Sequence, residues 1–425
     1  MTLRDASCAA GRRYHPGDAA RYPRDKTPTR VLVICQSTQA SGAPIALLRI
    51  VNQCVAHGML EPIFVVRDRG DLLASLEVLG PTVRISARTE RHIARAATSL
   101  PFGGKALALT ESVTKYRLRQ ICRRCNVQAI YVNSATQAAF VAHLQPLRLP
   151  IITHVHELER ALRASFGITG IKAVIEQSDM LIAVSPAVRT MLLAHGAEST
   201  RIVDVPEPIA EDTPLCADDR IAMRRAVFGV DDDAVLVLAC GLPSWRKGTD
   251  AFLHVAKDVL GRTPTGTKVA FRWLGGTLPN AAMTILIDDI ACLGLEGHVT
   301  VIPHMQNAER LLAAADILIS TSREDPNPLV VLEAAAAGCP VVCFRDAGGA
   351  EELADAGGGK AVPYLDAKAM ADAILALIES PEERELLGDT ARMIVKEHNA
   401  PHVVAEEMAT VLRRCAVSHN DTDYD

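Results

Sequence analysis

Short, continuous apolar runs alternate along this chain with longer segments whose apolar residues recur every three or four positions. The first pair is the run at 31–35 and the segment at 44–56, where Leu47, Ile50 and Val51 share one helical face. Such runs are typical of strands covered on both faces, and each following segment predicts a helix. The same alternation predicts further strands at 62–66, 83–85, 129–132, 150–154, 180–184 and 201–205.

The alternation of strands and helices is interrupted once and then restarts. The stretch over 206–214 is rich in proline and predicts a hinge. Beyond it, strands are predicted at 234–240, 269–274, 299–302, 317–320, 341–344 and near 361. Alternating strands and crossover helices indicate an α/β protein. We therefore predict two doubly wound, Rossmann-like domains that face each other across a cleft at the carboxyl ends of their strands.

These patterns divide the chain into five parts. Residues 1–28 lack periodicity and are predicted to be a flexible tail. The parts that follow are a first domain at 29–206, a hinge at 207–214, a second domain at 215–400, and a C-terminal helix and tail at 401–425.

Composition narrows the class of protein. A length of 425 residues suits two or three domains, and 49% apolar residues are enough for their cores. The net charge of −5 does not favour nucleic-acid binding, and no apolar run approaches the ~18 residues that a transmembrane helix needs. Because no apolar core follows Arg12 and Arg13, no signal peptide is expected. The eleven cysteines are then predicted to be reduced, buried thiols of a cytoplasmic protein.

The most informative stretch lies at 322–343, where a polar loop leads into a short apolar helix and a buried strand. Asn327 is a good N-cap, and Pro328 suits the first helical position. Asp325 therefore lies in the loop, whereas Glu333 lies on the helix. A loop acid and a helix acid beside a helix N-terminus predict a pocket that combines hydrogen-bond acceptors with an anion site.

This stretch resembles the signature of retaining glycosyltransferases of the family 4 type, whose two-domain fold is called GT-B. The signature is an acid, seven other residues and a glutamate, followed by a small-residue helix and Gly-x-Pro-Val. Asp325, Glu333, Gly338 and Pro340 have this arrangement. The resemblance implies that Asp325 holds hydroxyls of the donor sugar and that Glu333 holds the ribose, since a carboxylate accepts two vicinal hydroxyls at once. It also implies that the C-terminal helix crosses back to the first domain.

The same stretch departs from the family pattern at two points. The family usually begins with glutamate rather than aspartate, and it places an aromatic-glycine pair where this chain has Asn327 and Pro328. Pro328 has no amide hydrogen, so it cannot donate a hydrogen bond to a phosphate at that position.

Three further loops resemble those of the family. Arg246 and Lys247 stand in a Gly…Lys-Gly loop after a strand, where two cations can neutralise a diphosphate leaving group. Gly348 and Gly349 follow the signature strand and offer backbone amides to phosphate oxygens. Gly42 occupies the first loop, in which the family brings donor and acceptor close to the backbone. The alternative for each is an ordinary turn between a strand and a helix.

The end of the strand at 150–154 carries two histidines, His154 and His156, which share one strand face. The family has a histidine followed by an acid here, so the resemblance assigns an active-site role to His156, next to Glu157. A neutral imidazole can exchange hydrogen bonds with a sugar hydroxyl. A buried structural histidine and a metal ligand are the alternatives, although no third ligand is visible in the sequence.

The resemblance implies a retaining glycosyltransferase of polysaccharide biosynthesis that moves a sugar from a nucleoside-diphosphate sugar to a glycan or lipid-linked acceptor, with no metal and no cofactor. The predicted catalytic residues are His156 and Asp325. The predicted donor-binding residues are Gly42, Arg246, Lys247, Asn327, Leu329, Glu333, Gly348 and Gly349. The alternatives are a non-catalytic sugar-nucleotide-binding protein and a sugar-nucleotide epimerase on the same fold.

A basic segment at 84–124 contrasts with the negative charge of the whole chain. Its ten basic residues, opposed by Glu90 and Glu111, are Arg84, Arg88, Arg91, Arg95, Lys105, Lys115, Arg117, Arg119, Arg123 and Arg124. The four at 84, 88, 91 and 95 have helical spacing, which predicts one basic helix face. Because each cation near an anionic surface contributes about 1 kcal/mol, the segment predicts docking on the inner face of an anionic membrane or contact with an acidic lipid-linked acceptor. A solubilising basic surface is the alternative.

Overall fold

The computed structural model of the chain describes residues 27–85, 116–142, 144–211, 216–276, 281–305 and 307–422. Most of the predicted tail, the centre of the basic segment and part of the hinge lie outside these residues. The strands are β1 (Thr29–Cys35), β2 (Leu60–Val66), β3 (Thr82–Arg84), β4 (Ala129–Asn133), β5 (Ile151–Val155), β6 (Met180–Ala183), β7 (Ile202–Asp204), β8 (Val235–Cys240), β9 (Val269–Gly276), β10 (Val299–Pro303), β11 (Ile317–Ser320), β12 (Val341–Phe344) and β13 (Gly359–Val362).

Helices lie between successive strands, and three more follow the last strand. They are α1 (Gly42–Ala56), α2 (Leu73–Leu79), α3 (116–124), α4 (Ala138–Val141), α5 (Glu159–Gln177), α6 (Pro186–Ala194), α7 (Ala217–Met223), α8 (Thr249–Arg262), α9 (Ala281–Cys292), α10 (Ala308–Leu312), α11 (Leu329–Ala336), α12 (Ala350–Leu353), α13 (Ala367–Glu379), α14 (Pro381–His398) and α15 (Pro401–Thr422). Helix α6 begins as its sequence predicts, because the Ser185 hydroxyl caps the amide of Val188 and Pro186 takes the first helical position.

Seven parallel strands form the first sheet, in the order β3-β2-β1-β4-β5-β6-β7. Val33 of β1 pairs with Phe64 of β2 on one side and with Tyr131 of β4 on the other. The chain winds outward from β1 to β3 and then in the opposite direction from β4 to β7. The switch point between β1 and β4 is where such sheets bind ligands, beyond the carboxyl ends of the strands.

Six parallel strands form the second sheet, in the order β10-β9-β8-β11-β12-β13. Its switch point lies between β8 and β11, where Val237 pairs with Ile317. Both sheets are therefore doubly wound, and the predicted fold class is confirmed. Each strand predicted from the apolar runs is present in the described part of the chain, with the predicted ends at 317–320 and 341–344 and with ends shifted by one or two residues in most of the others.

Both faces of each sheet are covered, which explains why the strands are continuous apolar runs. Leu238 of β8 is buried on one face with Leu332 of α11, whereas its neighbour Val237 is buried on the other face with Phe252 of α8. Successive strand residues point to opposite faces, so both positions must be apolar. Each such side chain contributes roughly 1.5–3 kcal/mol on burial.

Helix α15 belongs to the core of the first domain although it follows the second domain in the chain. Val404, Met408 and Leu412 lie on one face of the helix and are buried in the same cluster as Val31 of β1 and Leu47 of α1. The helix contacts α1, β1 and β4. The chain thus crosses between the two domains twice, once through the hinge and once before α15.

The structure corrects part of the prediction for the basic segment. Arg84 does not share a helix with Arg88, because it ends β3 and pairs with Glu77 at 2.5 Å. Residues 86–115 lie outside the described residues, with the predicted positions Arg88, Arg91, Arg95, Lys105 and Lys115 among them. The remaining four arginines are exposed on α3 at 117, 119, 123 and 124.

The state of the cysteine thiols and the apolar character of the helices can be compared with the predictions of reduced, buried thiols and of no transmembrane helix. The ten cysteines within the described residues are free thiols, and most are buried. Cys216 and Cys292 are exposed, so the prediction that all thiols are buried is wrong for these two. Over the described ranges, no helix has both the length and the apolar character needed to cross a membrane.

Candidate active site

The predicted site residues lie around the carboxyl ends of the two sheets. The second domain contributes the loop after β8, the loop after β11 with the start of α11, and the loop after β12. The first domain contributes α1, the end of β5 and the residue that follows β6. A doubly wound sheet binds ligands beyond the carboxyl ends of its strands at the switch point, and contacts between the two domains bring these loops together.

Asp325 is the centre of an ion-pair cluster. Its carboxylate accepts from Lys247 Nζ at 2.6 Å, and Arg246 Nη1 lies 3.4 Å from its other oxygen. Asp325 is 8% exposed, and burial alone would favour its neutral form. The two cations outweigh burial and lower the pKa of Asp325. The predicted sugar-binding acid and the predicted phosphate-binding cations therefore form one cluster.

Two glycines allow the loop after β8 to place Lys247 next to Asp325. A Cβ added to Gly241 would lie 2.8 Å from Lys247 Cε. Gly248 has a φ of +69°, and a Cβ there would lie 2.0 Å from the Thr321 carbonyl oxygen. The Gly…Lys-Gly pattern is therefore a packing requirement that holds Lys247 against Asp325.

Glu333 is also paired, and its partner comes from the other domain. Arg49 Nη2 of α1 lies 2.6 Å from Glu333 Oε1, and Arg49 Nη1 donates to the Pro208 carbonyl at 3.0 Å. Burial raises the pKa of Glu333, and the charge of Arg49 opposes this shift only in part. Sequence reasoning missed Arg49, although an isolated cation within the apolar run of α1 was a usable signal.

Asn327 does not cap α11, so that prediction is wrong. Pro328 occupies the N-cap position, the helix begins at the buried Leu329, and the Asn327 side chain donates to the Val184 carbonyl at 2.8 Å. Pro328 has an extended backbone, with φ −70° and ψ 113°, so the helix begins one residue later than predicted and Asn327 lies before its N-cap. Its amide instead links the second domain to the end of β6 in the first.

The glycines of the loop after β12 support the Asp325 loop. The Gly349 amide donates to the carbonyls of Pro326 and Asp325, at 2.9 and 3.2 Å. Gly348 has a φ of +133°, and a Cβ there would lie 1.8 Å from the Asp325 carbonyl oxygen. The expectation that Gly349 presents a free amide to phosphate is therefore corrected, because that amide is already used. Gly42 is exposed at the start of α1.

His156 is held by a buried hydrogen-bond network. Its Nδ1 lies 2.6 Å from Glu207 Oε1 in the hinge, and its Nε2 lies 3.1 Å from Asn133 Oδ1. Burial disfavours the imidazolium, but the Glu207 carboxylate prevails and raises the pKa of His156. Sequence reasoning missed Glu207, whose only signal was a single acid between two prolines of the hinge.

His154 is fully buried beside His156, with ring centroids 4.1 Å apart. Its Nδ1 lies 2.7 Å from the Tyr131 hydroxyl, and burial together with the charge of His156 lowers the pKa of His154. His154 is therefore a neutral core histidine. The Glu157 carboxylate is buried and accepts hydrogen bonds from the Ser134 hydroxyl and the Ala135 amide.

Glu324, which follows Arg323 in the signature loop, binds the N-terminus of a helix in the other domain. Its carboxylate oxygens accept from the amides of Arg160 and Ala161 in the first turn of α5, each at 3.0 Å. A carboxylate at this position satisfies two otherwise unpaired amides and the positive end of the helix dipole. Glu324, Asn327 and Glu333 are thus three of the residues that link the two domains directly across the cleft.

Models of two glycosyltransferase families match the chain. The model described as "Glycosyltransferase Family 4" matches residues 42–212, and the model described as "Glycosyl transferases group 1" matches residues 233–380. The first match covers the part of the first domain that contributes Arg49 and His156, and the second covers the part of the second domain that contributes Asp325 and Glu333. The chain belongs to the family 4 glycosyltransferases.

Several proteins of known name are similar to this family 4 glycosyltransferase. It is 25% identical to the D-inositol 3-phosphate glycosyltransferase of Geodermatophilus obscurus, over 88% of this chain and 87% of that protein. It is 27% identical to the protein of the same name from Kineococcus radiotolerans, where the match spans 57% of this chain but only 61% of the relative's length. It is 23% identical to the GDP-mannose-dependent alpha-(1-6)-phosphatidylinositol monomannoside mannosyltransferase of Mycolicibacterium smegmatis, over 75% of this chain and 84% of that protein.

Solved structures with the same architecture are glycosyltransferases of the GT-B fold. Anabaena HepE in complex with UDP-glucose matches with a TM-score of 0.74 at 21% identity, over 91% of this chain and 99% of that chain. The sucrose-phosphate synthase of Thermosynechococcus elongatus matches with a TM-score of 0.71 at 18% identity, over 92% and 100%. WaaG, a glycosyltransferase involved in lipopolysaccharide biosynthesis, matches with a TM-score of 0.65 at 16% identity, over 90% and 99%. Identities this low support the fold assignment alone.

Proposed function

We propose that this family 4 glycosyltransferase transfers a hexose from a nucleoside-diphosphate sugar, held by the second domain, to a hydroxyl of a glycan or lipid-linked acceptor, held mainly by the first. We further propose that the anomeric configuration is retained and that no metal takes part. The observation that carries the proposal is the convergence of Lys247 and Arg246 on the buried Asp325, beside the start of α11.

This cluster provides the charges that the transfer of a sugar from a diphosphate requires. Lys247 and Arg246 now neutralise Asp325, and a donor diphosphate would attract the same two cations. Their positive charge would then stabilise the departing diphosphate, while the Asp325 carboxylate would accept hydroxyls of the sugar. Within the described residues, no three His, Cys, Asp or Glu side chains lie close enough together to hold a metal ion.

Glu333 is suited to bind the ribose. An ionised carboxylate offers about four lone-pair positions, and Arg49 Nη2 uses one of them. The remaining positions can accept both ribose hydroxyls, with Arg49 favouring the ionised form of the carboxylate and orienting it. A hexose donor is supported by the relatives, since HepE was solved with UDP-glucose and the Mycolicibacterium relative is named as GDP-mannose-dependent.

The test is nucleotide release from a panel of UDP- and GDP-hexoses, with glycan acceptors and with excess EDTA. Turnover should persist in EDTA, and the anomeric proton of the product should show the donor's configuration by NMR. Nucleotide-sugar binding without turnover against every acceptor would favour the non-catalytic alternative. Conversion of the free donor into another sugar nucleotide would favour the epimerase.

The proposal includes an anionic membrane surface as a partner of the first domain. In the described residues it is supported by the four exposed arginines of α3. Co-sedimentation with anionic vesicles should exceed that with neutral vesicles and should fall with salt. Reversal of Arg119 and Arg123 to glutamate should weaken it, and equal recovery with both vesicle types would contradict the proposal.

A further inference from the structure

An exposed aromatic side chain lies at the mouth of the cleft. Trp245 stands in the loop after β8, two residues before Lys247, and is 63% exposed. Large aromatic side chains usually bury most of their surface. A tryptophan this exposed beside an ion-pair cluster therefore indicates a ligand-binding surface. The other tryptophan, Trp273, is 1% exposed, and its indole nitrogen donates to the Gly241 carbonyl.

Two arginines, Arg323 and Arg160, flank the Trp245 ring, and of the two only Arg323 is paired with an acid in the described part of the chain. The Arg323 Cζ atom lies 5.0 Å from the Trp245 ring centroid, and its guanidinium binds both carboxylate oxygens of Asp250. Arg160 approaches from the first domain, with its Cζ atom 5.8 Å from the ring centroids of both Trp245 and Tyr364. Its Nη1 donates to the Tyr364 hydroxyl at 2.9 Å.

The Arg160 side chain is exposed, and its guanidinium forms no ion pair within the described part of the chain. The Glu324 carboxylate binds the Arg160 backbone amide instead. By contrast, Arg163, one turn along the same helix, pairs with Glu159 at 3.0 Å. A guanidinium that keeps free donors in a fixed orientation is suited to bind phosphate or carboxylate.

We propose that Trp245 and Arg160 form a subsite for an acceptor saccharide that bears an anionic group, which rests on the proposed glycosyl transfer. The apolar face of a sugar ring packs on an aromatic ring, and the guanidinium beside it pairs with the anion. Consecutive Cα atoms are about 3.8 Å apart, so Trp245 lies within roughly 8 Å of Lys247 along the backbone. A saccharide on Trp245 is thus within reach of a donor sugar at Asp325.

The contacts of Arg160 with Trp245 and Tyr364 could instead serve only to hold the two domains together. This structural role and the proposed saccharide-binding role predict different responses to added sugars. A structural tie between Arg160 and the two rings would not distinguish one sugar from another. A subsite binds a ring and an anion together more tightly than either alone. The choice of probes therefore separates the two roles.

The experiment measures protection of tryptophan fluorescence from acrylamide quenching, which reports on Trp245 because Trp273 is buried. The probes are glucose 6-phosphate, glucuronic acid, glucose and inorganic phosphate. Both charged sugars should protect Trp245 with an affinity about tenfold above glucose and inorganic phosphate, which is the gain expected from one charge-assisted contact. The ratio between the two charged sugars shows whether phosphate or carboxylate is preferred.

Arg160→Gln should remove the preference for charged sugars, whereas the matched control Arg163→Gln should keep it. Trp245→Ala should weaken binding of both charged sugars in calorimetry. Equal affinity for glucose and its charged counterparts, or an unchanged preference in Arg160→Gln, would overturn the inference. So would the absence of protection by all four probes.

Calorimetry with UDP and GDP on the same samples separates this inference from the proposed function. If a nucleoside diphosphate binds and donor turnover is present while no charged sugar protects Trp245, only the subsite is refuted. If neither nucleotide binds, the proposed donor site is refuted, and the subsite with it.

Discussion

Arg49 Nη2 lies 2.6 Å from Glu333 Oε1, although the two residues are 284 positions apart and belong to different domains. Both side chains are largely buried, at 17% and 7% exposure. The pair thus couples the orientation of the domains to the ionisation of the acid proposed to bind ribose. Breaking a buried pair leaves an uncompensated charge, which is more costly than the pair itself is stabilising.

Arg49→Gln should destabilise the protein by on the order of 3 kcal/mol at pH 8 and by less at pH 5. Burial already raises the pKa of Glu333, and loss of Arg49 should raise it further. A raised carboxyl pKa means that the folded state holds the proton more tightly, so stability falls as pH rises through the folded-state pKa. Melting temperatures at both pH values measure this effect.

The control for this prediction is Arg30→Gln, which breaks the exposed pair with Glu61 and should change little at either pH. The double variant Arg49→Gln/Glu333→Gln should lose the added pH dependence. If it keeps that dependence, Glu333 is not the group responsible.

Glu333→Ala should weaken binding of the preferred nucleoside diphosphate by about 2 kcal/mol, because ribose hydroxyls lose their acceptor. The wild-type protein should prefer the ribonucleotide over its 2′-deoxy analogue, and the variant should bind both equally. Calorimetry with the two nucleotides measures this difference. A variant that still discriminates between them would place the ribose elsewhere.

Lys247→Met should lower kcat more than it raises the donor KM, since the ammonium is proposed to act on charge that develops as the diphosphate departs. Lys268→Met is the matched control, because Lys268 pairs with Asp231 and Asp233 on an exposed surface. Steady-state kinetics of nucleotide release measures both variants. Wild-type turnover in Lys247→Met would assign the diphosphate to other groups.

Glu207→Gln should reverse the pH dependence that His156 gives to stability. In the wild-type protein the raised pKa of His156 adds stability below about pH 6.5, and this is lost as pH rises through the folded-state pKa. Without the Glu207 charge, burial should lower that pKa, so the variant should lose stability as pH falls. NMR titration of the His156 ring checks this directly, and an unchanged His156 pKa would contradict it.

Glu324→Ala should expose the amides of Arg160 and Ala161 to solvent and speed their hydrogen exchange, because both lose their acceptor. Glu324→Gln keeps one of the two acceptor oxygens and should show a smaller effect. Asp366→Ala removes a cap within a single domain and should affect only α13. Unchanged exchange at Arg160 and Ala161 in Glu324→Ala would show that this link between domains is not maintained in solution.

The sequence by itself determined the two sheets and the signature loop. A strand buried on both faces needs a continuous apolar run, and a helix needs apolar residues every three or four positions. Both patterns can therefore be recognised in a short stretch of sequence. The spacing of Asp325 and Glu333 and the basic loop at Arg246 and Lys247 are local as well. The family resemblance could therefore be stated from these residues alone.

Only the tertiary structure decided how these residues are paired. Arg49 with Glu333, Glu207 with His156, and Glu324 with the start of α5 are contacts between distant segments, and no periodicity encodes them. The prediction for Asn327 was wrong for the same reason. Capping preference is a local property, whereas the extended backbone of Pro328 and a carbonyl of the other domain determine where the Asn327 side chain binds.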